Sequence, residues 1–283
     1  MATVDVALKD RLQGHLAEVA RERDPYFAAA GHLYVETYVR QQLEQWGTVS
    51  AHRFRANGRE HRNWVLDLPG RDSGRSPILV GAHYDGVPGS PAADDNATGV
   101  AALLEIGRAI AHHPARHPVR CVAFDLEEMG LVGSEQYATA LRADKVSLRL
   151  MISLEMLGYC DRAPGSQRYP SILDRFYPSQ GDFIGLIGNV ATLGDLLHFH
   201  RAMQRVGARS EWLPAGRRGL MVPQTRQSDH APFWDRGYRA LMVTDTAFLR
   251  NPHYHQPSDR LETLDLDFLT LVCQGMILGL QTL

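Results

Sequence analysis

The chain has 283 residues, of which 44% are hydrophobic, 22% charged and 8% aromatic, a composition that excludes a disordered, collagen-like or coiled-coil protein. Thirty Lys and Arg stand against 32 Asp and Glu, so a formal net charge of -2 offers no general basic field for nucleic acid or an anionic membrane. Cys121, Cys160 and Cys273 are odd in number and far apart, which argues for buried thiols over a disulfide framework.

The length lies near the size at which one hydrophobic core stops growing, and a single domain over 1–283 is expected. The first 24 residues carry charges every few positions with no apolar h-region, and no run of 18 apolar residues occurs. The expectation is a soluble chain of the cytoplasm.

In chain order, residues 5–22 and 29–46 predict amphipathic helices, the second carrying Leu33, Val35, Tyr38, Val39, Leu43 and Trp46 at helical spacing before Gly47. Strands follow at 48–55, 63–68 and 77–83, each bounded by Gly, Pro or Asn. A helix is expected at 97–112, a buried strand at 118–126, a short helix at 132–142 and a strand at 149–154. Residues 159–183 are rich in Pro, Ser, Gly and aromatics without a sustained period and predict a long excursion. A strand at 183–187, a helix at 190–206, a polar loop at 208–227, a helix at 229–236, a strand at 239–244 and a closing helix at 262–281 complete the chain. Strands alternating with helices in this way predict an α/β fold, a three-layer αβα sandwich around a central mixed, largely parallel sheet.

The chemistry gathers at the strand ends. PILVGA runs into His83 and Asp85, VRCVAFDL into Glu127 and Glu128, RLMISL into Glu155, and ALMVT into Asp245 and the loop with His253 and His255. Open α/β sheets bind ligands beyond the carboxyl ends of their strands, so four strands would deliver these groups to one edge. Taken singly, a His at a strand end is an ordinary surface residue, and an acid pair is an ordinary solvated turn; the convergence is what points to a metal. Asp94 and Asp95 precede a helix, where one acid would suffice as a cap. Asp85, two residues after His83, is placed to hold the other nitrogen of that imidazole. Of the adjacent Glu127 and Glu128, one could bind a metal while the other takes a proton from water.

Five motifs in order, GAHYDG, PAADDNATGVAALLE, FDLEEMGLVGSEQYA, QSDHAPF and YHQPSD, resemble those of the co-catalytic di-zinc aminopeptidases of the Y and S type, of metallopeptidase clan MH and related to the glutaminyl cyclases. The resemblance covers roughly residues 30 to 280 and implies the zinc-exopeptidase, phosphorylase/hydrolase-like fold. It implies one zinc on His83, Asp94 and Glu155 and a second on Asp94, Glu128 and His255. Asp94 would bridge, Asp95 would adjoin a cis peptide, Glu127 would be the general base to a metal-bridging hydroxide, and Tyr254 would polarise the scissile carbonyl. The implied activity is removal of N-terminal residues from peptides with a free N-terminus, with two Zn2+ per chain and neither nucleic acid nor membrane as partner. Three carboxylates and two imidazoles, one carboxylate shared, would leave each zinc an open position.

Glu155 departs from the pattern, since the family commonly has Asp there. A one-zinc glutaminyl cyclase-like acyltransferase and a non-catalytic binding relative are the alternative readings; the complete ligand set and base argue against both. Ser228, Asp229 and His230 are consecutive and so cannot converge as a hydrolase triad; they are expected to shape the pocket floor and brace His255 or the loop before it. His253 is expected in the pocket wall. The excursions at 159–183 and 208–227 are expected to rim the site, with Arg226 or a neighbour reading a peptide C-terminus.

Overall fold

The computed structural model describes residues 3–283. Two helices open the chain, α1 (Val6–Val19) and α2 (Ala29–Glu44), and the hairpin β1 (Val49–Ala56) and β2 (Arg59–Leu68) follows. Then come β3 (Ile78–His83), α3 (Gly99–His112), β4 (Val119–Phe124), α4 (Val132–Ala143) and β5 (Leu150–Glu155). The second half holds β6 (Ile184–Gly188), α5 (Leu193–Val206), β7 (Ser210–Pro214), α6 (Ala231–Asp235), β8 (Ala240–Thr244) and α7 (Leu266–Thr282).

The eight strands form one sheet in the order β1-β2-β4-β3-β5-β8-β6-β7. The central four, β4, β3, β5 and β8, run parallel, while the hairpin on one side and the β8–β6 junction on the other are antiparallel. Successive strand side chains point to opposite faces, and each face has its own apolar layer. Ile78, Val80, Ala82, Cys121, Ala123, Ile152, Leu154, Leu241 and Val243 pack under α1, α2, α3, α5 and α7. Leu79, Val122, Phe124, Met151 and Ala240 face the other way, against Tyr137 and Leu141 of α4 and Phe233 and Trp234 of α6. The result is the αβα sandwich, with about 2 kcal/mol contributed by each fully buried Leu or Val.

Where element bounds differ from the sequence expectation, local chemistry explains it. Asp5 and Asp265 cap α1 and α7 by accepting from Leu8 N and Phe268 N, which starts the closing helix four residues later than its pattern suggests. Asn57 and Gly58 both have positive φ, the two-residue hairpin turn that carries β2 back to Arg59 instead of 63. The stretch expected to be loop at 208–227 contains β7, a short edge strand paired only with β6. No described helix is long and apolar enough to cross a membrane.

Candidate metal centre

The carboxyl ends of β3, β4, β5 and β8 lie side by side, and the acids and imidazoles that follow them meet at this edge. His83, the last residue of β3, is fully buried. Its Nε2 stands 3.4 Å from Asp95 Oδ1, 3.6 Å from Glu155 Oε1 and 4.0 Å from Glu127 Oε2. His255 Nε2 stands 3.1 Å from Asp95 Oδ2 and 3.2 Å from Glu128 Oε2. Asp95 therefore turns one oxygen toward each imidazole.

Three groups offer ligand atoms within 4.8 Å of one another: His83, Asp95 and Glu155; His83, Glu127 and Glu128; and Asp95, Glu128 and His255. Two ligands on one tetrahedral zinc, with bonds of ~2.0–2.1 Å, sit ~3.3 Å apart, which is the range of the imidazole–carboxylate contacts. Both ring nitrogens of His83, Nε2 of His255 and Oε1 of Glu128 are buried without an aligned hydrogen-bond partner among the described residues. Buried polar atoms of this kind are costly unless they bind something, and a cation satisfies imidazole nitrogen and carboxylate oxygen together. The residues present fit bound zinc.

The electrostatics point the same way. Burial, reinforced by neighbouring acids, raises Glu127 well above the usual carboxylate range and Glu128 to about 7. Burial also raises Glu155, partly opposed by His83. Asp95 is the exception: burial would raise it, but the imidazoles of His255 and His83 close beside it prevail and hold it low. His255 is lifted to about 10, because Asp95 and Glu128 outweigh its desolvation.

The expected shared carboxylate was Asp94, but in the structure it is Asp95, not Asp94, that lies between the two imidazoles. Asp94 is buried on the far side of the turn, where its Oδ1 accepts from Gly158 N at 2.9 Å and its Oδ2 from Asn251 Nδ2 at 2.7 Å. Burial and the adjacent Asp245 push Asp94 well up, and Asp245, which follows the end of β8, accepts from Tyr159 N and Ala247 N at 2.9 Å and is not among the residues grouped around the imidazoles. The peptide after the inward-facing acid is cis, and it is Asp95–Asn96. The reason for the swap lies in the backbone. Ala92 has a left-handed conformation, and the buried Asp259 accepts from both Asp94 N at 2.9 Å and Asp95 N at 3.1 Å. Asn96 completes the hold by donating to Leu154 O and accepting from Gly99 N and Met156 N.

Asp85 performs for the other acid pair what Asp259 does for this one. Its Oδ1 and Oδ2 accept from Glu127 N and Glu128 N, each at 3.1 Å, while Oδ1 stands 3.3 Å from His83 Nδ1. Two buried aspartates thus each grip two consecutive amides of an acid pair, a role that their spacing does not reveal. Arg23 is the other residue that motifs miss. Fully buried, it donates to the carbonyls of Tyr84, Pro91 and Ala92 at 2.9 Å and of Val19 and Arg21 at 3.2 Å, tying the N-terminal segment to the loop between β3 and Asp95.

Ser228 reaches Glu155, not His255: its hydroxyl donates to Glu155 Oε2 at 2.7 Å and is itself 2.8 Å from Ser153 Oγ. The longer side chain at 155 is held by this contact. Asp229 is buried with neither oxygen hydrogen-bonded, and burial lifts it to about 7. His230 turns away to Thr225 O and packs edge-on against Trp234, so burial drops it to about 3. His253 contacts Ser258, and Tyr254 stacks on His255 with ring centroids 3.8 Å apart. Arg226 is bound to Asp235 and to Arg218 O, which takes it out of the role of reading a substrate carboxylate.

Asp95, Glu127, Glu128, Glu155 and Tyr254 open onto a cavity of about 920 Å³ including its mouth. Gln167, Tyr169, Tyr177 and Phe183 wall it from one excursion, and Trp212, Leu213 and Val222 from the other.

The profile of peptidase family M28 matches residues 63–278. YfbL of Escherichia coli K12 is 35% identical over 234 residues, covering 78% of this chain and 70% of its own. Aminopeptidase YwaD of Bacillus subtilis is 28% identical over 197 residues, and the match spans 68% of this chain but only 38% of that relative. Among solved structures, the LapA aminopeptidase of Legionella pneumophila superposes with a TM-score of 0.74 at 18% identity, covering 99% of this chain and 75% of LapA, a likeness of fold.

Proposed function

The chain belongs to peptidase family M28, and from that premise we propose that it is a di-zinc aminopeptidase acting on peptides with a free N-terminus. The observation that carries this reading is Asp95, whose two oxygens face His83 on one side and His255 on the other. His83, Asp95 and Glu155 would hold one zinc, and Asp95, Glu128 and His255 the other. The aminopeptidase relative supports the reaction class.

Bound zinc would supply Lewis acidity, polarising a peptide carbonyl and making water acidic enough to react near neutral pH. The remaining work falls to this chain. Glu127 lines the cavity beside the ligand set without being needed by either zinc, and there it takes the proton of the attacking water and passes it to the leaving amine. Asp85 fixes the backbone of Glu127 and Glu128, so base and ligand keep different directions. Tyr254 donates from the cavity wall to the oxygen that gains charge in the tetrahedral species, and burial keeps its phenol protonated.

The test is zinc content by mass spectrometry together with hydrolysis of aminoacyl-nitroanilides. Two zinc per chain and activity abolished by a chelator and restored by zinc are expected, with Glu127→Gln retaining metal but losing turnover. One zinc per chain with cyclisation of N-terminal Gln peptides would replace this reading with an acyltransferase.

A further inference from the structure

The cavity beside the acid cluster contains a carboxylate that neither zinc nor proton transfer requires. Strand register sets Glu155 opposite Thr244, Thr244 opposite Gly185, and Gly185 opposite Glu211. Register partners share a face of the sheet, so the four residues form one row across β5, β8, β6 and β7, and all four line the cavity. Three interstrand steps put the backbone of Glu211 about 14 Å from that of Glu155. Nothing bulky interrupts the row. Gly185 has no side chain, and a Cβ there would meet Thr244 O at 3.2 Å and Thr246 Cγ2 at 3.6 Å.

Glu211 is available for a ligand. Among the described residues it forms no ion pair, because Arg209 is engaged by Asp182 and His200 by Ser210 and Gln204. Burial raises its carboxyl despite the pull of those two bases. Five acids and no basic residue line the cavity among the described residues: Asp95, Glu127, Glu128 and Glu155 at the metal end and Glu211 at the other. Two zinc ions would offset the first four and leave Glu211 without a counter-charge. Tyr169, Tyr177 and Phe248 also line the cavity, aromatic surfaces against which long alkyl stems and cationic heads pack well.

We infer that Glu211 reads a cationic side chain on the first residue of the substrate, and that the site prefers peptides beginning with Arg or Lys. The inference rests on the aminopeptidase reading for its orientation: the scissile carbonyl lies at the zinc end, and the first side chain runs along the Gly185 floor. Starting from a carbonyl at the zinc end, the long stem of Arg or Lys extends further along this row than Leu or Phe can, and only the former bring a cation toward Glu211.

The experiment compares kcat/KM of the zinc-loaded protein and its Glu211→Gln variant on Arg-, Lys-, Leu- and Phe-aminomethylcoumarin, with calorimetric binding of argininamide and leucinamide alongside. Wild type is expected to favour Arg and Lys by about ten-fold or more, and Glu211→Gln to lose about ten-fold on those two, mainly through KM, while Leu and Phe stay unchanged. A wild-type preference for Leu or Phe, or a variant that affects all four substrates equally, overturns the inference and leaves the aminopeptidase reading standing. If no substrate is cleaved, that reading fails instead. Argininamide binding that Glu211→Gln weakens selectively would then still support the cation site, and its absence would overturn it.

Discussion

Arg23 holds the site together from outside it, and its replacement by Met tests how much. Its guanidinium makes five hydrogen bonds, all to backbone carbonyls, and the three shortest go to Tyr84, Pro91 and Ala92 in the segment that leads from His83 to Asp95. Met fills much of the same space but donates nothing. Each orphaned buried acceptor costs about 1–3 kcal/mol, and relief of the buried cation's own desolvation returns part of this, for a net loss of about 4 kcal/mol. For a chain of this length the unfolding entropy is about 0.6 kcal/mol per degree, so Tm should fall by about 7 °C. Arg21 supplies the control: its pairs with Glu18 and Ala17 O are at the surface, and Arg21→Met should shift Tm by less than about 2 °C. Differential scanning calorimetry of the two variants with and without zinc measures both effects, and Arg23→Met should also weaken zinc uptake. A Tm within 2 °C of wild type for Arg23→Met, or a larger loss for Arg21→Met, would refute the assignment of Arg23 as the clamp.

The identity of the shared carboxylate is tested by Asp95→Asn beside Asp94→Asn, with zinc affinity measured by competition against a chromogenic chelator. Asp95→Asn should lose more than about a hundred-fold, beyond what removal of an orienting partner costs, and Asp94→Asn should lose less; the reverse order would return the ligand role to Asp94. Ser228→Ala removes the hydroxyl that steadies Glu155, and a hydrogen bond to a charged group at about 1.5–3 kcal/mol predicts a loss of roughly ten- to a hundred-fold in the affinity of one zinc only. Equal weakening of both zinc ions would argue against Glu155 belonging to a single group. His32 is desolvated, yet its hydrogen bond to Asp125, with help from Asp85 and Glu36, raises its pKa above the usual value. Its stabilising contribution is therefore fully present below about pH 6.5 and is lost as pH rises through the raised folded value. The Tm gap between wild type and His32→Gln should accordingly be larger at pH 6 than at pH 9, and a gap that widens with pH would contradict the assignment.

Much of the site was legible in the chain because strand ends carry it. His83, Glu127, Glu128 and Glu155 follow apolar strand runs, and a parallel sheet places consecutive strand ends at one edge whatever the detailed packing. The supporting residues were far less legible. Arg23 sits in a charged N-terminal stretch indistinguishable from surface, and β7, which carries Glu211, is a short edge strand with no alternation strong enough to mark it. Arg226 looked free only because its partner Asp235 is nine residues away in a helix of its own.

Local period and residue chemistry thus determined the αβα architecture, the edge at which the metals would sit and the residue types that would hold them. Tertiary structure decided which of two adjacent aspartates faces in. Asp94 and Asp95 have the same chemistry and neighbouring positions, so nothing local separates them. The choice is made by Asp259, which grips both amides from 165 and 164 residues away, together with the left-handed turn at Ala92 that Arg23 secures. The alignment of Glu155 with Glu211 is likewise a matter of register across four strands, set by contacts between segments that are distant in the chain.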